Sequence, residues 1–402
     1  AIVINHKQMD AFFRTHAYLV EHNYAPVHRV LMDEINWDDR LIGIKGTRGV
    51  GKTTFLLQYA KENFESIYRQ CLYINMNNFY FQGRGVADFA GDFYNQGGRV
   101  LLIDQVFKQQ HWSSELRKCF DNYPKLKIIF TGSSVMRLKE ENPELNGIVK
   151  SYNLSGFSFR EFLNLQTGNN FKPYSLEEIL QNHEHIVKEI LPKVRPLKYF
   201  QDYIHHGFYP FFLENRNFSE NLLKTMNMMT EVDILLIKQI ELKYLTKIKK
   251  LFYLLALEGP KAPNISNLAK EINTSRATVM NYIKYLADAR LINIIYPIGQ
   301  EFPKKPAKVM MNNTNLIYAI YPIQVEQQDV METFFVNVLS KEHLVNMGNK
   351  SGSYLIDRTQ KFKVCNVDNA RIRLNSDTIY ARYNTEVGKD NKIPLWLLGF
   401  LY

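Results

Sequence analysis

The sequence contains few cysteines and no long apolar segment. Its three cysteines, Cys71, Cys119 and Cys365, are far apart and form neither a CxxC pair nor an even-numbered disulfide framework, which fits a reducing compartment. The N-terminus lacks the apolar stretch of a secretory signal, and no run of about 18 apolar residues is present to span a bilayer. We therefore expect a soluble, cytoplasmic protein without a membrane partner.

Internal repeats and low-complexity segments are also missing. Hydrophobic residues make up 46% of the 402 positions, so the chain can form substantial cores and global disorder is not expected. The length predicts two or three domains.

The charge is unevenly distributed along the chain. The formal net charge is +10, and between Lys238 and Lys308 there are 13 Lys/Arg against 5 Asp/Glu, a local balance of +8. A basic surface attracts polyanions such as nucleic acid. A solvated helical surface explains the same composition, so charge alone leaves both interpretations open.

Short β-rich runs alternate with amphipathic stretches between Arg40 and Leu154. The runs are Leu41–Lys45, Cys71–Asn75, Val100–Asp104, Lys127–Thr131 and Tyr152–Leu154. Three of them have nearly continuous apolar cores, as parallel strands buried on both faces do. The alternation predicts right-handed βαβ units in a layered α/β domain, and helical periodicity dominates after Ser158.

The segment from Gly46 to Thr53 matches the pattern GxxxxGK followed by Ser or Thr, with a predicted strand before it and a helix after it. Its glycines allow the backbone N–H groups to face one anion, and the helix N-terminus adds partial positive charge. We expect Lys52 to reach the β- and γ-phosphates of ATP and the Thr53 hydroxyl to bind Mg²⁺. The predicted nucleotide-binding residues of this loop are Gly46, Thr47, Arg48, Gly49, Val50, Gly51, Lys52, Thr53 and Thr54.

A P-loop also predicts a second strand that ends in a magnesium-holding acid, and Val100–Asp104 fits this pattern. Asp104 is therefore the predicted metal residue beside Thr53. Hydrolysing members of the relevant P-loop class usually have Glu next, which orients the attacking water, whereas this chain has Gln105. An amide can bind water but cannot take its proton, so we expect slow hydrolysis or a deliberate trapping substitution.

The strand Lys127–Thr131 ends in hydroxyl-bearing residues. Strand ends on this side of an α/β sheet face the ligand crevice, so Thr131 or Ser133 is a candidate sensor of the γ-phosphate. Together with Gln105 these two residues form the predicted catalytic set. The alternative is that Ser133 or Ser134 caps a following helix.

The basic segment contains a predicted winged helix-turn-helix. A short helix at Ile265–Ile272, a turn with Ser275 as N-cap, a second helix at Ala277–Leu286 and a wing from Leu291 fit the pattern. In DNA-binding versions the second helix enters the major groove. The candidate DNA-facing residues are Thr274, Arg276, Thr278, Asn281 and Lys284. The module is equally compatible with an internal lid or a protein-binding surface.

With these motifs the chain resembles the prokaryotic AAA-type ATPases related to the STAND class. The resemblance extends over nearly the whole chain and rests on segments 46–53, 102–104, 128–134, 154–162, 207–210, 312–316, 332–335 and 393–402. It implies an α/β fold with a P-loop NTPase core over residues 1–157, a helical lid over 158–237, a winged helix over 238–322 and a small nuclease-like α/β domain over 323–402. The family pattern has Asp-Glu where this chain has Asp104-Gln105, which puts turnover in doubt but not binding.

The resemblance also suggests roles for residues in the lid and in the C-terminal domain. It implies that Pro210 packs against the adenine ring, although from the residues alone Gly207 and Pro210 only mark a turn. Arg160 is a candidate phosphate sensor or part of a structural ion pair. In the nuclease-like domain Glu332 is retained, but by this alignment Ser353 and Lys363 occupy acidic positions and Val367 occupies the lysine position. We therefore expect a nuclease-like fold without nuclease activity, with nearby Asp357 and Asp368 as the risk to that alignment.

The leading functional hypothesis is a slow ATPase or ATP switch that binds ATP or ADP with Mg²⁺. Double-stranded DNA and a protein are its candidate macromolecular partners. The alternatives are a DNA-binding winged-helix protein with structural nucleotide, and a nuclease.

Overall fold

A computed structural model describes residues 6–214, 217–320, 325–350, 352–369 and 374–402. The chain divides into two compact units, residues 1–155 and residues 156–402. Among the helices of these described ranges, none is long and apolar enough to cross a membrane.

The first unit, from residue 6 onward, contains a five-stranded sheet and five α-helices. The helices are α1 (His6–Glu21), α2 (Leu31–Glu34), α3 (Lys52–Asn63), α4 (Val86–Asn95) and α5 (Trp112–Asn122). The strands are β1 (Leu41–Gly46), β2 (Cys71–Asn75), β3 (Val100–Asp104), β4 (Lys127–Ser133) and β5 (Lys150–Asn153). The sheet order is β2-β3-β4-β1-β5, and every neighbouring pair is parallel.

Burial explains why these segments form strands. The four residues of β1 from Leu41 to Ile44 and all five residues of β3 are buried, as expected for strands covered on both faces. The polar strand β5 occupies one edge of the sheet. This confirms the predicted α/β fold with a parallel-sheet core of the P-loop NTPase kind, and it places the C-terminal ends of β1, β3 and β4 side by side.

The described residues of the second unit form ten further α-helices and two small sheets. The helices are α6 (Phe159–Thr167), α7 (Leu176–Ile190), α8 (Pro196–Asp202), α9 (Phe218–Met228), α10 (Leu235–Lys238), α11 (Leu245–Glu258), α12 (Ile265–Glu271), α13 (Arg276–Asp288), α14 (Thr314–Ala319) and α15 (Gln327–Leu339). The strands are β6 (Ile292–Ile295), β7 (Lys308–Met311), β8 (Val345–Met347), β9 (Ser353–Ile356), β10 (Gln360–Asn366), β11 (Thr378–Tyr383) and β12 (Lys392–Pro394). Strands β6 and β7 form an antiparallel pair, and the other five form a mixed sheet in the order β12-β11-β10-β9-β8.

One hydrophobic core runs through much of this second unit. It contains Phe159 and Phe162 of α6, Phe334 and Phe335 of α15, and Trp396 near the end of the chain. Residues predicted to lie in the helical lid therefore pack in the same core as residues predicted to lie in the C-terminal domain. The division at 157, 237 and 322 stays a prediction.

Candidate functional site

The P-loop joins β1 to α3 in the first unit. Gly49 and Gly51 have φ values of 88° and 97°, which side chains disfavour, so glycine is required at these two turning points. A Cβ on Gly46 would lie 2.8 Å from the carbonyl oxygen of Leu154, which explains the third glycine. The loop ends on the first residue of α3, Lys52, so the helix N-terminus opens at the site.

Lys52 is folded over the loop. Its Nζ donates to the carbonyl oxygens of Gly46 at 2.6 Å and Thr47 at 2.9 Å. These contacts hold the ammonium group at the mouth of the loop, where a phosphate would replace carbonyls as its partner. Arg29, outside the motif, donates to the carbonyl oxygens of Val50 and Ser155 and so supports the loop from the side.

Asp104 lies at the end of β3 and is 1% exposed. The hydroxyls of Thr53 and Tyr73 donate to its Oδ2 at 2.5 and 2.6 Å, and the hydroxyl of Thr131 donates to its Oδ1 at 2.5 Å. The structure thus brings the predicted metal pair together and adds Thr131 to it. All three donors are neutral, so they orient the carboxylate without neutralising its charge.

Gln105 follows in a left-handed conformation, with φ of 55° and ψ of 53°. Its backbone N–H donates to the Thr131 hydroxyl at 2.9 Å. Thr131 therefore links the carboxylate of Asp104 to the backbone of Gln105. This structural role comes in addition to the phosphate sensing predicted for Thr131. The left-handed backbone at Gln105 ends the extended path of the strand, and the residue is half-buried.

Ser133 has a different environment from Thr131. Its Oγ accepts from the backbone N–H of Val135 at 3.2 Å, and the segment after it forms turns. The alternative in which Ser133 or Ser134 caps a helix is therefore wrong, because no helix begins between residues 134 and 142 of this described region. Ser133 caps a turn, and its role toward a phosphate stays a prediction.

Sequence reasoning missed Tyr73. Burial, followed by the charge of Asp104, raises the pKa of its hydroxyl, which therefore stays protonated and donates. A signal for it exists in the strand periodicity, because Tyr73 shares a face of β2 with Asn75, and Asn75 lies in register with Asp104. The contact itself requires the folded sheet.

Oxygen atoms of Thr53 and Asp104 fit a hard cation such as Mg²⁺. Within the described ranges no three His, Cys, Asp or Glu side chains converge as a metal-binding group. Magnesium is commonly held by one or two carboxylates together with substrate phosphates and water, so this pair suits a nucleotide-dependent site rather than a protein cage.

The other predicted ligand-binding residues lie in both units. Thr47, Arg48 and Thr54 lie in or directly beside the loop, while Pro210 begins a short 3₁₀ helix in the second unit. Arg160 is buried and donates from Nε to the carbonyl oxygen of Tyr402 and from Nη1 to that of Phe171. These main-chain contacts favour the structural role of Arg160.

The candidate DNA-facing residues lie just before α13 and along it, from Thr274 to Lys284. Ser275 accepts from the backbone N–H of Thr278 at 3.1 Å, which confirms the predicted N-cap. Arg276 and Asn281 are exposed, and Thr274 is half-buried. Lys284 pairs with Asp288 at 3.2 Å, so part of its charge is already compensated.

Glu332 on α15 lies in a buried polar cluster. Lys308 Nζ approaches its Oε1 at 3.3 Å, and the Tyr354 hydroxyl donates to the same oxygen at 2.6 Å. Gln328 donates to its other oxygen at 3.3 Å. The one acid that the nuclease alignment retained is thus engaged with a lysine.

Two segments match protein-family models. Residues 38–163 match the AAA domain, and residues 197–327 match a domain of unknown function (DUF8612). The uncharacterized protein MJ1637 of Methanocaldococcus jannaschii is 29% identical over 276 residues, which is 64% of this chain and 57% of that protein. The chain thus spans little more than half of this relative's length.

Two solved structures were also compared with the chain. The Aeropyrum pernix ORC1 protein in complex with DNA gives a TM-score of 0.29 at 11% identity, covering 79% of this chain and 91% of ORC1. The C. elegans PCH-2 gives 0.23 at 13% identity, covering 70% and 66%. The P-loop geometry and the match over residues 38–163 together support a P-loop ATPase domain of the AAA type in this chain.

Proposed function

We propose that the chain is a STAND-related ATPase that binds Mg·ATP in its first unit and acts as a slow ATP switch on a macromolecular partner. The observation that carries this proposal is the contact between Thr53 of the P-loop helix and Asp104 of β3 at 2.5 Å. It joins the loop that suits phosphates to a buried carboxylate that suits a cation. Two independent sequence motifs meet at that contact.

Each residue of the site has a distinct role in this proposal. The backbone from Gly46 to Thr54 receives the phosphates, and Lys52 exchanges its carbonyl partners for phosphate oxygens. Thr53 and Asp104 would hold magnesium, which would supply positive charge to neutralise the phosphate oxygens. Because the Thr53 hydroxyl donates its proton to Asp104, its lone pairs stay available for the cation.

Slow turnover follows from the residue after Asp104. Gln105 orients water but cannot accept its proton, and general-base assistance is typically worth about 10²–10⁴ in rate. The hydrogen bond from its backbone to Thr131 fixes the position of this residue. A site that binds ATP and retains it is suited to switching.

The partner side of the proposal rests on the second unit. Helices α11 to α13 and the β6–β7 pair lie within residues 238–322, and their order supports a winged helix there, which we propose as a contact surface for double-stranded DNA. Pro210, within the proposed lid of residues 158–237, would contact adenine. A protein partner is the alternative for the same surface. We propose no nuclease activity for residues 323–402, because Glu332 is engaged by Lys308.

The nucleotide assignment is tested with Lys52→Ala. Removing the ammonium group should weaken ATP binding at least about tenfold, because hydrogen bonds to charged groups are worth about 1.5–3 kcal/mol. Isothermal titration calorimetry measures the affinity, and Lys61→Ala, an exposed lysine on the same helix, is the matched control. Equal ATP affinity in Lys52→Ala and wild type would contradict the P-loop assignment.

A further inference from the structure

Tyr73 lies outside every nucleotide-binding motif, yet its hydroxyl contacts the centre of the site. It donates to Asp104 Oδ2 at 2.6 Å, and Thr53 donates to the same oxygen at 2.5 Å. A single carboxylate oxygen thus connects the P-loop helix α3 with the edge strand β2. Packing of the Tyr73 ring alone does not require the hydrogen bond from its hydroxyl to Asp104.

The position of Tyr73 is fixed from two sides. Its strand pairs with β3, where Tyr73 lies in register with Leu102. Because β2 is an edge strand, the outward N–H of Tyr73 is left for another partner, and it donates to Nδ1 of the buried His16 on α1 at 2.9 Å. The aromatic ring is buried, so the hydroxyl has little freedom to move.

Tyr73 and Thr131 hold opposite oxygens of the same carboxylate. Thr131 donates to Oδ1 at 2.5 Å, and Tyr73 donates to Oδ2. Two fixed donors on two oxygens prevent the carboxylate from rotating about its terminal bond, which is otherwise a soft torsion. Since both donors are neutral, the charge that attracts a cation is retained.

We propose that Tyr73 is a positioning residue for the magnesium of the nucleotide site, acting through Asp104. Its hydroxyl keeps Oδ2 beside the Thr53 hydroxyl, and Thr53 and Asp104 are the two residues that would hold the cation. The inference rests on the proposed function and adds a residue to it. Outer partners of metal ligands typically contribute 10–100-fold to metal affinity.

The test compares Tyr73→Phe with wild type in the full chain. The dissociation constant of ATP is measured by calorimetry with EDTA and again with excess Mg²⁺, and the ratio of the two constants is the magnesium enhancement. We expect the enhancement to fall about tenfold in Tyr73→Phe. Affinity without metal should change little, because the hydrogen bond that the substitution removes is made to the carboxylate of Asp104.

Tyr59→Phe is the matched control. Tyr59 is a buried tyrosine of the same unit whose ring stacks on Trp37 at 4.1 Å between centroids. Its enhancement should equal that of wild type. Equal enhancement in Tyr73→Phe and wild type, or a loss of ATP affinity that is the same with EDTA, would overturn the role of Tyr73. Absence of ATP binding by wild type would instead overturn the proposed function itself.

A double variant tests whether Tyr73 acts through Asp104. Asp104→Asn alone should lower the enhancement, and adding Tyr73→Phe should lower it no further, because groups that act through one another are not additive. Additive losses would show that Tyr73 acts by another route and would refute the proposal.

Discussion

Asp104 and Glu332 are both buried carboxylates, but their surroundings differ in kind. Asp104, in the first unit, is 1% exposed and accepts from three hydroxyls. Glu332, in the second unit, is 5% exposed and pairs with Lys308, which is itself 8% exposed. Neutral donors orient a carboxylate and leave its charge uncompensated, whereas a buried lysine compensates that charge. Asp104 is therefore suited to bind a cation and Glu332 to hold protein elements together.

A sequence motif identifies a buried acid but not the residues that contact it. Both acids belong to segments that the family resemblance identifies, one as a metal residue and the other as the remnant of a nuclease site. The partners of each acid come from elsewhere in the chain, since Tyr73 lies on β2 and Lys308 lies on β7. The environment, and not the acid, distinguishes a cation site from a structural pair.

The largest effect that would break this comparison concerns stability. Glu332→Gln leaves the ammonium group of Lys308 buried without its counter-charge, so we expect the free energy of unfolding of the second unit to fall by about 3 kcal/mol. Asp104→Asn leaves no cation unpaired, but its amide nitrogen cannot accept from the hydroxyls that Asp104 binds. We therefore expect the first unit to lose about 1–3 kcal/mol through lost hydrogen bonds and not through an unpaired charge. Urea denaturation followed by Trp396 fluorescence, in a background with Trp37→Phe and Trp112→Phe, reports on the second unit.

A second variant identifies the cause of the loss. Lys308→Met combined with Glu332→Gln removes both charges and should recover most of the lost stability, because the cost of the single change is the unpaired charge. If Glu332→Gln is as stable as wild type, Glu332 is not held by Lys308 in the way described. It would then be open to a metal, as the nuclease interpretation requires.

The strands show how far the sequence alone reaches. The bounds of β2 and β3 are predicted to the residue, because buried parallel strands are continuous apolar runs. Strand β5 begins at Lys150, two residues before the predicted start, since this edge strand carries polar, exposed residues that periodicity does not detect. The same continuous apolar runs also predict the fold class, which the structure confirms.

The site is less predictable than the strands. Lys52, Thr53 and Asp104 follow from local motifs, and Thr131 follows from its place at a strand end. Tyr73 and the pairing of Lys308 with Glu332 do not, because each joins residues that are 24 or more positions apart and have no shared pattern. Hydrogen bonds between side chains of different elements are fixed by the tertiary fold.

Turnover is the next effect in size, and it sharpens the comparison at Asp104. Gln105→Glu supplies a base of nearly the same size next to a carboxylate that already binds its neighbours, so hydrolysis should accelerate at least about tenfold while ATP affinity barely changes. Phosphate release under single-turnover conditions measures the rate. Gln110→Glu, an exposed glutamine of the same loop, is the matched control.

One outcome would contradict the role of Gln105, and a second would show that restoring the acid at this position is not sufficient. Hydrolysis by wild type at the rate of Gln105→Glu would show that position 105 does not limit turnover. An unchanged rate in Gln105→Glu would show that other parts of the site, such as Thr131, have also lost their function.

The smallest effect concerns DNA, and it applies the same distinction between free and compensated charges to α13. Arg276 is exposed, whereas Lys284 already pairs with Asp288 at 3.2 Å. If this helix binds duplex DNA, the slope of log K against log salt is negative. Arg276→Ala should reduce the magnitude of that slope by about one, because one phosphate contact is lost. Lys284→Ala should lower it less, since its charge is partly compensated before DNA binds. Fluorescence anisotropy across a salt series measures the slopes, with Lys193→Ala, an exposed lysine outside the basic segment, as control.

Two results would exclude this contact between α13 and DNA. Equal slopes for Arg276→Ala and Lys193→Ala would remove α13 from the DNA contact. No binding of any duplex at low salt would remove DNA as a partner and leave a protein as the remaining candidate.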